Sequence, residues 1–228
     1  MERFAREVPA GGKAEAVLAA ARHAFLAAGF GAVSMDAIAR DAGVSKATVY
    51  AHFAGKEELF GAVVGEVCRH RFEAFSAQEL DAADARGSLR TLGRRFLDLV
   101  LSPEAIAIHR IIVAEVARFP LLGEVFWQAG PERTLGQIEA FLGRAAAAGS
   151  LAVADPRRAA EQFVGLTRGE LHLRHLLRLE AAVDVPTKSA IVDGAVDTFL
   201  RAFAPGADGA RLETPAPATA AAGSLVDA

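Results

Sequence analysis

The stretch from Ser34 to Phe60, SMDAIARDAGVSKATVYAHFAGKEELF, constrains the fold more than any other part of the chain. Ser34 can cap a short helix, because its hydroxyl accepts a backbone N–H that the first turn leaves without a partner. Met35, Ile38, Ala39 and Ala42 then share one face at helical spacing, and Gly43 stands where a left-handed exit residue belongs. Val44 plugs the turn and Ser45 supplies a second cap. A second short helix follows from Lys46 to Phe53, with Val49 and Phe53 facing inward. Two helices meeting across a short turn that contains Gly form the unit whose second member enters a DNA major groove.

The outer face of that second helix is small and polar, as close approach to DNA requires. Thr48 and Tyr50 offer hydroxyls to phosphate, and His52 offers a ring N–H. Lys56 brings a charge to the start of the next helix, where free backbone N–H groups also favour anions. Lys46 and Ala47 are better placed for base edges, Lys46 by hydrogen bonding to guanine and Ala47 by contact with a thymine methyl. The same pattern also describes a solvated helical hairpin in which Tyr50 and His52 merely cover their neighbours. The net charge is −3, so DNA affinity cannot come from bulk charge and must rest on where these few groups sit.

Gly43 to Leu59, G-V-S-x-x-T-V-Y-x-H-F-x-x-K-E-x-L, resembles the DNA-binding signature of the TetR-type bacterial transcriptional regulators. The resemblance implies that Thr48, Tyr50, His52 and Lys56 position phosphates, that Lys46, Ala47 and Tyr50 face bases, and that Ser34, Ser45 and Ala51 complete the contact surface. That family often carries a larger side chain where this chain has Ala51, which narrows the set of base readers. Leu97 to Arg178, including SPEAIAIHRIIVAEVARFPLLGEVFWQAGPERTL and RRAAEQFVGLTRGELHL, resembles the AefR-like C-terminal subgroup. This second likeness implies dimerisation through a four-helix bundle.

The rest of the chain reads as helices. Lys13 to Ala28 carries Val17, Leu18, Ala21, Phe25 and Leu26 on one face and ends at Gly29. One long helix is expected from Lys56 to about Ala77, then helices around Leu89 to Leu99, from Glu104 to Arg118, from Pro120 to Trp127 and from Arg133 to Ala148. The Glu104 to Arg118 segment is apolar nearly all round, which predicts a central helix. A further helix starts at Asp155-Pro156 and continues through Leu177, and the last starts at Pro186. The expectation is therefore all-α: a flexible arm at 1–12, a three-helix DNA-binding domain at 13–60, a larger helical effector-binding and dimerisation domain at 61–204, and a disordered tail at 205–228.

The helices at about 156–179 and 186–203 have apolar residues on more than one face. Pairing them about a two-fold axis would cover that surface. It would also give two recognition helices ~34–36 Å apart for a palindromic operator, since one short helix makes too few contacts alone. Phe72, Phe96, His109, Ile112, Phe126, Trp127, Phe163 and Arg168 are candidates to line a cavity for an apolar or amphipathic effector; each aromatic could equally fill dry core. His172 and His175, three apart and beside Glu170, suggest a metal pair, but the surrounding leucines favour structural histidines, and no metal or cofactor is expected.

No catalytic constellation assembles. Gly11-Gly12-Lys13 lacks phosphate-loop spacing, Gly29-Phe30-Gly31 follows no strand, and neither G-x-S-x-G nor H-E-x-x-H occurs. The lone Cys68 has an apolar setting and reads as a small core side chain in a reducing compartment. No apolar run reaches the ~18 residues that span a bilayer, and MERFAREVPAGGK has no apolar signal core, so a soluble cytoplasmic protein is expected. The reading is a DNA-binding regulator, a repressor released by its effector. The rivals are a helical carrier or enzyme whose hairpin is only structural, and a regulator with no ligand.

Overall fold

The computed structural model describes residues 12–69, 80–179 and 183–205, and every regular element within them is a helix. Residues 1–11 of the arm expected at 1–12, the part of the expected Lys56 to Ala77 helix that would hold Phe72, and residues 206–228 of the tail expected at 205–228 lie outside the described residues. α1 (Lys13–Ala28) buries Val17, Leu18, Ala21 and Phe25 and stops at Gly29, whose φ of 81° disfavours a side chain. Phe30 turns back into the core and stacks on Phe25 at 5.8 Å, with Phe60 edge-on to it at 5.6 Å.

α2 (Met35–Asp41) begins where Ser34 Oγ accepts the Ala37 N–H at 3.1 Å, and it leaves through Gly43 at φ 67°. α3 (Lys46–His52) begins where Ser45 Oγ accepts the Thr48 N–H at 3.2 Å. Both caps and the left-handed glycine lie where local sequence chemistry puts them. α4 (Lys56–Cys68) buries Leu59, Phe60, Val63, Val64 and Val67, because it packs against α1 on one side and against α6 and α7 on the other.

Seven helices follow: α5 (Ala85–Val100), α6 (Pro103–Glu115), α7 (Leu121–Ala129), α8 (Pro131–Ala147), α9 (Pro156–Arg168), α10 (Leu171–Leu176) and α11 (Val185–Phe203). Proline occupies the first turn of α6, α8, α9 and α11, where its missing N–H costs nothing. α5, α9 and α11 pack together and α8 lies on α9. The three helices crowd together at Gly93, where a Cβ would come within 2.8 Å of Val192 Cγ1 and 3.4 Å of Phe163 Cζ.

Two expectations are corrected here. The helix predicted from Pro156 through Leu177 is broken: Gly169 takes φ 48°, α9 ends at Arg168, and α10 restarts at Leu171. Arg110 of α6 holds the restarted segment by donating to the carbonyls of His175 at 2.6 Å and Leu176 at 3.0 Å. α6 packs against α1, α4, α5, α7 and α10, as a central helix should, but it is not enclosed all round. It buries Ile106, Ile108 and Ile112, yet Val113 is 65% exposed, so its apolar far face meets solvent in the single chain.

Candidate nucleic-acid interface and internal cavity

The capped hairpin places Ser34, Ser45, Lys46, Ala47, Tyr50, Ala51 and His52 on the surface, with Thr48 half-buried. Val49 and Phe53 point inward and fix the rotation of α3, which leaves the Tyr50 ring 46% exposed. Thr48 Oγ1 lies 2.9 Å from Ser45 Oγ, so the cap also orients a candidate phosphate donor. Lys46 Nζ is 2.8 Å from Asp36 Oδ1 on α2 and 6.0 Å from the Tyr50 ring centre. The hydrogen bond to Asp36 raises the Lys46 pKa, and a base contact by Lys46 either uses its other N–H groups or opens that pair. Opening it is cheap, because both side chains are well exposed.

Lys56 stands differently from the free surface charge its helix-start position suggests. Its ammonium donates to Phe30 O at 2.8 Å and Val33 O at 2.9 Å and lies 4.3 Å from the Phe30 ring centre. Burial lowers its pKa. The side chain therefore ties the α1–α2 loop to α4, and only its remaining N–H is available to a phosphate.

From the other side, Glu115 at the end of α6 grips the same loop. Its carboxylate accepts the Phe30 N–H at 2.7 Å and the Gly31 N–H at 2.6 Å. A Cβ on Gly29 or on Gly31 would come within 2.7 Å of those oxygens, so the glycines are what allow the carboxylate in. Phe119 adds an edge-on contact to Phe30 at 5.2 Å. This junction was not anticipated from sequence. The paired glycines around Phe30 are its one visible trace, and the dinucleotide pattern they superficially start has no part in it.

A cavity of about 530 Å³ lies among α4 to α10. Of the expected lining residues, Phe96, His109, Phe126, Trp127 and Arg168 are there, joined by Val64 and Val67 of α4. Phe163 and Ile112 are not. Phe163 is fully buried and meets Phe199 edge-on at 5.4 Å, so it fills the α5–α9–α11 core, and the buried Ile112 is likewise core. Phe72 lies outside the described residues.

His172 lines the cavity, and its three-residue spacing from His175, which a metal pair would also show, does not bring the two rings together. The two histidines diverge: the His175 ring donates through Nδ1 to Leu171 O at 2.9 Å, whereas His172 faces His109, ring centres 4.9 Å apart. Among the described residues no cluster of three metal-ligating side chains forms. Burial, then His109 and Arg168, push the His172 pKa down to about 4, and burial with Arg168 lowers that of His109. The i, i+4 spacing of Arg168 and His172 was the signal available for this polar corner. At the rim, Arg157 bonds both oxygens of Glu132 at 2.8 Å and Glu161 at 3.2 Å, and Glu132 also takes a hydrogen bond from Trp127.

Comparison with known proteins bears on both regions. Residues 17–63 match the N-terminal model of the tetR family of bacterial regulatory proteins, and residues 87–205 match the C-terminal domain of AefR-like transcriptional repressors. Among solved structures, the flavonoid-responsive regulator FrrA is 38% identical with a TM-score of 0.72, covering 85% of this chain and 98% of that one. A protein assigned to the TetR family from Mesorhizobium loti MAFF303099 is 27% identical with a TM-score of 0.74, covering 87% and 100%. A TetR-family regulator from Pseudomonas syringae pv. tomato DC3000 is 26% identical with a TM-score of 0.64, covering 86% and 99%.

Proposed function

The chain belongs to the TetR-type helix-turn-helix transcriptional regulators with an AefR-like C-terminal domain, a family of DNA-binding regulators and not of enzymes, and on that premise we propose how it works. It binds a palindromic operator as a homodimer, represses, and is released by a small apolar or amphipathic molecule held in the cavity. Ser34, Ser45, Thr48, Tyr50 and His52 engage phosphates; Lys46, Ala47 and Tyr50 meet base edges, the small Ala51 lets the helix approach, and Lys56 fixes the loop behind α3 while offering one N–H to a phosphate.

The dimer uses the outer faces of α9, α10 and α11. Leu166, Leu173 and Leu177 are exposed in the single chain, and a Cβ on Gly165 or Gly194 would meet nothing within 4 Å, so these faces are free for a second copy. The single observation that carries the regulatory reading is the course of α6. This helix places His109 in the cavity and, six residues on, about 9 Å along its axis, Glu115 on the loop that leads into α2. A ligand that prefers one position of α6 therefore changes the setting of the reader. The likeness to FrrA, a flavonoid-responsive regulator, supports a ligand in this fold.

The test is selection of bound sequences from random duplex DNA by the full chain at physiological salt, with Tyr50→Ala as control. A palindrome that wild type retains and the variant loses is expected. Weak, sequence-independent binding unaffected by the change would make the hairpin a scaffold and return the chain to the carrier reading.

A further inference from the structure

The cavity is apolar along most of its wall and polar at one corner. Val64, Val67, Phe96, Phe126, Leu135 and Val164 present hydrocarbon from five helices. The corner is built by His109 of α6, Arg168 at the end of α9 and His172 of α10. Its arrangement depends on the break at Gly169, which turns the chain between Arg168 and His172.

The charges at this corner do not cancel. Glu161 also lines the cavity, but its carboxylate lies 3.2 Å from Arg157, which is further paired with Glu132. Arg168 enters no ion pair among the described residues. Thr134 and Cys68 also line the cavity, and His175 on α10 is turned to the Leu171 carbonyl. What remains is one guanidinium beside two imidazoles. Both imidazoles are kept neutral at neutral pH, so each carries one N–H to donate and one nitrogen to accept.

A cation with an unfilled set of donors at the end of an apolar cavity is complementary to an anion carried on a hydrocarbon body. We infer that the effector is an apolar organic acid whose single anionic group, carboxylate or phenolate, sits between Arg168, His109 and His172, with its body against α4, α5 and α7. The inference deepens the effector reading and rests on it. An apolar body of this kind occurs on a fused aromatic phenol and on a fatty acid alike. The head chemistry is shared, and the shape of the cavity decides between them.

Two matched pairs separate the head from the body: 7-hydroxyflavone against unsubstituted flavone, and dodecanoate against dodecanol. Each is titrated calorimetrically into the full-length protein at pH 8, and each is then tested for release of the selected operator. The acid of at least one pair should bind about 10- to 100-fold more tightly than its neutral twin, the difference that one charge-assisted hydrogen bond makes. R168Q should collapse that ratio while leaving the affinity for the neutral twin nearly unchanged. Arg168 is exposed, so the variant folds; R168K, which keeps the charge, should retain much of the preference. The pair that shows the preference identifies the body.

Equal affinity for acid and neutral twin within both pairs overturns the inference and leaves an apolar effector standing. Acid preference without operator release leaves the corner as an anion site but overturns the acid as effector, and removes the regulatory reading with it. Failure of all four to bind removes both.

Discussion

Glu115→Gln tests the junction between the cavity and the DNA reader. The substitution keeps size and polarity but replaces one acceptor oxygen with an NH2 group. One of the two loop amides, Phe30 N–H or Gly31 N–H, then faces a donor instead of an acceptor. A hydrogen bond to a charged group contributes ~1.5–3 kcal/mol, and a half-buried donor left without a partner costs a further ~1 kcal/mol. The surviving bond is also weakened, because its acceptor is no longer ionised. Partial access of water returns some of this, so a net loss of about 2 kcal/mol is expected, and about 3–4 kcal/mol for Glu115→Ala. In a chain of this size 1 kcal/mol moves Tm by ~2–4 °C, which gives about 4–8 °C for the Gln variant. The assay is urea unfolding followed in parallel by far-UV circular dichroism and by fluorescence of Trp127, the one tryptophan, which sits in the C-terminal helices. If Glu115 couples the two regions, the two signals should separate in the variant, with part of the dichroism lost before the fluorescence changes. The same variant should bind the operator but respond less to effector. An unchanged midpoint with coincident signals would refute the coupling, since one of the two bonds cannot be lost and the other weakened without consequence if they hold the loop.

Stability should also depend on His172. Its pKa of about 4 in the folded protein lies below the ordinary 6.5, so across that window the unfolded chain binds more protons. Stability is therefore complete above pH 6.5 and lost as pH falls toward 4. The loss is about 2 kcal/mol once the solvent that reaches the ring through the open cavity is allowed for. His172→Gln should flatten that part of the stability–pH curve in urea titrations, and an unchanged curve would mean the ring is not held neutral. The dimer is tested by Leu166→Glu with Gly194→Glu. Both positions face outward, and Gly194 has open space around a new side chain, so the isolated fold should persist. Like charges in the seam should then give a monomer by sedimentation, with native circular dichroism and no operator binding. A dimer that survives would place the interface elsewhere.

How much of this was legible in the sequence depends on the range of the cause. Ser34, Gly43 and Ser45 act on backbone groups two or three residues away, so the hairpin and the outward set of α3 follow from local chemistry. Lys56 is the instructive failure within the same stretch. Read locally it is a cation at a helix start, but its ammonium is taken by carbonyls 26 and 23 residues earlier, which no local pattern encodes. The cavity fails for a related reason. Phe96 and Phe163 are the same residue type on packed helices, yet one faces the opening and the other the core, because the choice is set by how α5, α9 and α11 cross.

The broken helix shows what long range does to a short-range signal. Gly169 was visible, but leucines on both sides kept an uninterrupted helical period, and apolar period outweighs a single glycine in any local reading. What settles the break is Arg110, 65 and 66 residues away, which takes the carbonyls at the end of α10. Arg110 follows His109 directly on α6, so the segment that carries His172 is bound to the helix that carries His109. A ligand that separates the two rings must therefore move α10 or α6, and movement of α6 is what Glu115 would pass to the reader. The residues that were hardest to place from sequence are thus the ones that join the cavity to the DNA-binding hairpin.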